Sequence, residues 1–108
     1  MALIGSEAVD LDGLNATYTA VSASDTFVNN GRIILHVKNA GGSADTVSIV
    51  TPKTFDGLAV ADAGGSVPAG EERFFGPFSK GLFNDGDGEV TVTHSFTTSV
   101  TMAILQVN

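Results

Sequence analysis

Apolar residues recur at every second position within short runs, and glycine-bearing segments separate those runs, which is the pattern of half-buried β-strands and not of helices. Over residues 31–39, Ile33, Leu35 and Val37 share one side of an extended chain, while Arg32, Ile34, His36 and Lys38 share the other. The first side is predicted to be core. The next run, residues 45–51, places Val47 and Ile49 together, and Ala40-Gly41-Gly42-Ser43 between the two runs predicts a hairpin connection. A second hairpin is predicted at the end of the chain. There Val90, Val92, His94 and Phe96 alternate with Thr91, Thr93, Ser95 and Thr97, and Val100, Met102 and Ile104 alternate with Thr101, Ala103 and Leu105.

The remaining segments are less regular. Residues 16–21 read as a strand. Residues 52–69, with Pro52, Gly57, Gly64, Gly65 and Pro68, read as a long irregular excursion broken by short extended pieces. Residues 72–78 look extended, but Pro77 cannot donate to a sheet ladder, which places it at an edge or a strand end. No helix longer than a turn or two is indicated. Short strands with turn signals every ten residues or so predict an all-β fold, an antiparallel β-sandwich or jelly roll, with residues 1–108 as a single domain. Its predicted core is Ile33, Leu35, Val37, Val47, Ile49, Val90, Val92, Val100, Met102 and Ile104.

Composition narrows the function. Apolar residues make up 43% of the 108, enough for a core, yet no uninterrupted run approaches the roughly 20 that a membrane helix needs. A soluble protein without a membrane partner is expected. The first seven residues lack the basic and apolar regions of a secretory signal, so the chain is expected to work where it is made. The chain has no cysteine, which excludes disulfides, thiol nucleophiles and cysteine-based metal sites. Arg32, Lys38, Lys53, Arg73 and Lys80 are scattered among twelve acids, so no basic patch awaits a phosphate backbone and nucleic acid is not an expected partner.

Several local features invite a chemical reading. Asn84-Asp85-Gly86-Asp87-Gly88-Glu89 has acids at the first three ligand positions of a helix–loop–helix calcium site, but Val90 stands where that site needs glycine, Phe96 where it needs glutamate, and the flanks read as strands. A turn is expected instead, with aspartates bonding nearby amides and glycines supplying positive φ. His36 and His94 are the only histidines and lack an evident third metal ligand, so each is expected to be satisfied by neighbours or solvent. Ser43 and Ser66 each follow two glycines, outside any nucleophile-elbow motif, and read as loop serines. Glu71-Glu72 reads as a solvated turn, because adjacent strand residues point to opposite faces and cannot form a glycosidase pair. Asn15-Ala16-Thr17 matches a glycosylation sequon without an export signal to support it. A sugar-binding module usually stacks its ligand on Trp or Tyr, whereas this chain has no Trp and only Tyr18, so its seven phenylalanines are expected in core or subunit contacts. Alternation sends Phe74 and Phe75 to opposite faces, and at least one must be covered by residues 52–69 or by a partner chain. No catalytic, cofactor-binding or metal-binding residue is therefore expected, and an enzyme is the least favoured class.

Three stretches taken together, residues 25–39, residues 73–78 and residues 82–92, resemble the small head decoration or minor capsid proteins encoded near the major capsid protein of many tailed bacteriophages. The resemblance implies a non-enzymatic all-β virion subunit, made in the host cytoplasm, that binds the capsid exterior and stabilises it. Its implied partners are the major capsid protein and further copies of itself, usually three. A neck, tail or fibre component, or a sugar-binding sandwich, remains the alternative.

Overall fold

The computed structural model describes residues 2–107. In chain order the strands are β1 (Ala2–Leu3), β2 (Glu7–Ala8), β3 (Thr19–Ala20), β4 (Ser24–Val28), β5 (Ile33–Asn39) and β6 (Asp45–Ile49). They continue with β7 (Thr54–Phe55), β8 (Leu58–Ala59), β9 (Ala63–Val67), β10 (Glu72–Phe75), β11 (Glu89–His94) and β12 (Val100–Gln106). A single helical turn, α1 (Lys80–Phe83), precedes β11, and the Ser79 side chain caps it by accepting from the Leu82 amide.

Two sheets form the body, one ordered β1-β4-β11-β6-β9 and the other β10-β5-β12-β2, with β3 also paired to β12. The longer pairings are antiparallel, while the two-residue strands β1 and β2 run parallel to β4 and β12. The protein is thus a β-sandwich. All ten predicted core residues are buried between the sheets, joined by Phe27, Val67 and Phe78. Cross-strand neighbours explain the alternation: Met102 lies opposite Val37 and Ile104 opposite Leu35 in one sheet, and Val90 lies opposite Phe27 in the other.

Both predicted hairpins are corrected by the pairing. β5 pairs with β10 and β12, whereas β6 lies in the opposite sheet between β11 and β9. β11 and β12 are likewise in different sheets. Each connection, residues 40–44 and residues 95–99, crosses the core. Five residues reach at most ~17 Å, sufficient for the ~10 Å between packed sheets. The two crossovers lie side by side, with the Ala40 amide donating to the Ser99 carbonyl. Gly41 sits so close to Thr98 and Phe96 that a Cβ would collide with the Thr98 carbonyl oxygen and the Phe96 ring. Asn39 secures the first crossover: its Nδ2 donates to the Ser43 and Val67 carbonyls, and its Oδ1 accepts from the Gly41 amide.

Three further differences concern lesser elements. The strand expected over residues 16–21 shrinks to β3, and residues 24–28, not singled out as a strand, form β4. The excursion over residues 52–69 contains a true edge strand, β9, whose Gly64 has φ +125° and lies where a Cβ would strike the Val47 carbonyl of β6. Glycine here permits close pairing, so the strand carries almost no apolar pattern. Residues 72–78 follow expectation, with β10 at the sheet edge and Pro77 just beyond it.

Candidate interaction surface

The two histidines have different settings. His94 faces the core beside Asp45, with both side chains fully buried and Nδ1 at 2.6 Å from Asp45 Oδ2. Since a carboxylate only accepts, Nδ1 carries a proton. The other carboxylate oxygen accepts from the Phe96 amide at the start of the second crossover, so Asp45 links the first crossover to the second. Nε2 of His94 is buried without a hydrogen-bond partner among the described residues. The expectation that neighbours satisfy His94 holds for one ring nitrogen and not for the other.

His36 lies on the outer face of the second sheet. Its Nε2 is 2.9 Å from Glu72 Oε1 and its Nδ1 is 2.6 Å from the Tyr18 hydroxyl. By the same acceptor argument Nε2 donates to Glu72, and in the neutral ring Nδ1 accepts from Tyr18. Phe74 stacks on the imidazole with centroids 4.0 Å apart, and Lys38 Nζ sits 4.1 Å from the centre of the Tyr18 ring. Each ring nitrogen is engaged and the ring is covered, which makes the cluster a fastening for the segment that carries Tyr18. Glu72 is therefore a strand residue with a partner, a correction to the solvated-turn reading, and Glu71 pairs with Arg73.

The acidic loop forms the expected turn. Asp85 Oδ1 accepts from the amides of Asp87 and Glu89, and Gly88 has φ +77°. Among the described residues, no three His, Asp or Glu side chains converge as a metal-binding set. Ser43 and Ser66 are exposed, Ser43 in a loop and Ser66 in β9.

Exposed apolar side chains are distributed unevenly. The strand registers define two ends of the sandwich. One holds the crossovers, residues 40–44 and 95–99. At the other end lie the connection between β4 and β5, the connection between β10 and β11, the link from β6 to β9, and residue 107. This second end exposes Val28, Leu82 and Val107, and Val9 and Leu11 from the N-terminal segment, whose Val9 amide donates to the Gln106 carbonyl. It also bears Phe55 at 74% and Leu58 at 71%, after Leu11 the most exposed large apolar side chains among the described residues. Among the described residues, Leu3 and Phe74 are the remaining exposed large apolar residues, and neither is at the crossover end.

Phe55 and Leu58 belong to an arm. β7 and β8 pair only with each other, across a turn in which Asp56 has φ +52° and Gly57 φ +78°. The arm's base is closed by Thr51, whose amide donates to the Asp62 carboxylate and whose hydroxyl donates to the Val60 carbonyl, with Asp62 Oδ1 3.1 Å from that hydroxyl. So short a hairpin has no core of its own, and burying a side chain of this size elsewhere yields about 1.5–3 kcal/mol. The sequence contained a sign of it: Asp56-Gly57 between two apolar-bearing pairs is a strong two-residue turn signal. Phe75, by contrast, is covered, in part by Gly65 of β9, and packs against the core with Phe83, while Phe74 is left 63% exposed. The segment spanning residues 52–69 thus shields one of the paired phenylalanines, as alternation required.

Open pockets also occur at this end. The larger, of about 340 Å³, is lined by Gly31, Arg32, Ile34, Pro77 and Val107, and the smaller, of about 230 Å³, by Val9, Asp10, Leu11 and Val107. No helix of the described residues is long and apolar enough to cross a membrane. Compared with known proteins, the chain matches no family model, no curated protein and no solved structure.

Proposed function

We propose that this chain is a non-enzymatic virion structural protein that attaches to the outer surface of a tailed-phage capsid and stabilises it, made in the host cytoplasm and carried on the particle exterior. Its partners are the major capsid protein and further copies of itself, assembled as a homotrimer. The observation that carries the reading is the concentration of exposed large apolar side chains, including the Phe55–Leu58 arm, at one end of a β-sandwich whose other end exposes no large apolar side chain among the described residues. Such asymmetry suits a subunit that stands on a surface. The histidine clusters tie chain segments together, a structural use of both histidines. Many copies on one shell convert weak single contacts into lasting occupancy.

Particle composition and a capsid reconstruction test this together. The expected result is hundreds of copies per virion, with the arm-bearing end turned to the shell or to neighbouring copies. Tens of copies confined to a neck, tail or fibre would replace the decoration role, and absence from the particle would refute a virion role altogether.

A further inference from the structure

We infer that the Phe55–Leu58 arm of one copy docks into the Ile34–Pro77–Val107 pocket of a second copy of this chain. The inference deepens the self-association in the reading above by naming both halves of the contact. The arm is an apolar knob held in shape by its turn and by the Thr51 clamp, and among the described residues nothing else covers it. The pocket, of about 340 Å³, is apolar apart from Arg32, and has room for two side chains but not for a whole strand. Charge matches as well: Asp56 sits between the two apolar residues at the arm's tip, and the Arg32 guanidinium at the pocket makes no ion pair among the described residues.

Position supplies the rest of the argument. The arm springs from the β6–β9 side of the first sheet, while the pocket opens where β5 and β12 of the second sheet reach the same end of the sandwich. Knob and hole are different surfaces, so the contact is heterologous and generates a ring or a filament. Copies related by rotation about an axis along the sandwich keep the arm and the pocket level with one another, which is the arrangement that closes into a ring.

Light scattering on the purified chain at micromolar concentration, with no capsid present, tests this separately from the virion role. Wild type should be a closed oligomer. An arm variant, F55S with L58S, and a pocket variant, R32E with V107D, change exposed residues, and each should be monomeric with an unaltered dichroism spectrum. Mixing the two variants is the decisive step: one intact arm then meets one intact pocket, and a one-to-one pair should form that grows no further. A monomeric wild type, an arm variant that still assembles, or a mixture without the pair would each overturn the inference. None of these outcomes bears on whether the protein coats particles. Asp56→Asn, which keeps a residue tolerant of positive φ, should weaken assembly several-fold without abolishing it.

Discussion

The two ends of the sandwich solve opposite problems. At the crossover end the chain passes twice from one sheet to the other, and the buried groups there, Asn39, Asp45 and His94, are spent on holding those passages in place. Gly41 lets the crossovers touch. At the arm end the β6–β9 link and the β10–β11 connection are longer than either crossover, and a buried asparagine joins the β4–β5 and β10–β11 connections by ordinary amide contacts: Asn29 Nδ2 donates to the Phe78 carbonyl and to Asn84 Oδ1. Among the described residues, large apolar side chains are left in solvent only away from the crossovers. Stability is therefore concentrated in the packed middle and the crossover end, and surface for association at the other. A change to the buried groups of the first end should destabilise the fold, whereas a change to the exposed apolar groups of the second should leave a folded protein that has lost its contacts.

Asp45→Ala should give the largest effect. It removes the acceptor of a fully buried histidine and of the Phe96 amide at once, and breaking a buried pair by deleting one partner costs about 3–5 kcal/mol. Urea unfolding monitored by dichroism would measure it. A loss below 1 kcal/mol would mean that His94 readily finds another partner and that the crossover end is softer than its hydrogen bonds indicate. Leu35→Ala, in the packed middle, should cost about 2–5 kcal/mol in the same assay and sets the scale for a fully enclosed side chain. Gly41→Ala comes next, at about 1–3 kcal/mol, because the added methyl must displace the Phe96 ring or the Thr98 peptide. The same substitution at Gly42, where a Cβ meets nothing within 4 Å, is the control and should be close to neutral.

The two ends also differ in how well the chain announces them. Alternation reports which side of a strand faces the core, and at Ile33, Leu35, Val37, Val90 and Val92 it did so correctly because burial alone sets that pattern. It is silent on partners. A strand followed by a short glycine-bearing loop and a second strand looks the same whether the chain returns along its own sheet or crosses to the facing one. What separates the cases here is Asn39 reaching Val67 and Asp45 reaching Phe96, contacts far apart in sequence. β9 was illegible for another reason: Gly64 and Gly65 pair through backbone groups and close approach, with only Val67 deeply buried. The arm is legible in the sequence, since Asp56-Gly57 supplies the turn residues for a hairpin that the surrounding prolines and glycines disguise as irregular chain.

At the arm end, F55S with L58S, compared with wild type diluted until it is monomeric so that association does not add to stability, should alter folding stability by no more than about 0.5 kcal/mol, since exposed substitutions fall in that range. Its measurable consequence should be loss of association. A drop of 2 kcal/mol or more would show the arm packed on its own body and would remove the contrast between the two ends.

The smallest effect is expected at the acidic loop, which lies at the arm end but serves the turn into β11. Asp85 accepts from the amides of Asp87 and Glu89 through one carboxylate oxygen, and an asparagine side-chain carbonyl can accept the same two bonds and tolerates the same turn geometry. Replacing Asp85 and Asp87 together with Asn should therefore leave the melting temperature nearly unchanged, with the loss of two negative charges beside Glu89 offsetting the weaker acceptor. Calcium separates this from a binding role: if the loop is only a turn, parent and variant should melt alike with and without the ion. A parent that gains stability with calcium while the variant does not would turn the loop into a site and would give the arm end a second means of attachment, one that a chelator could release.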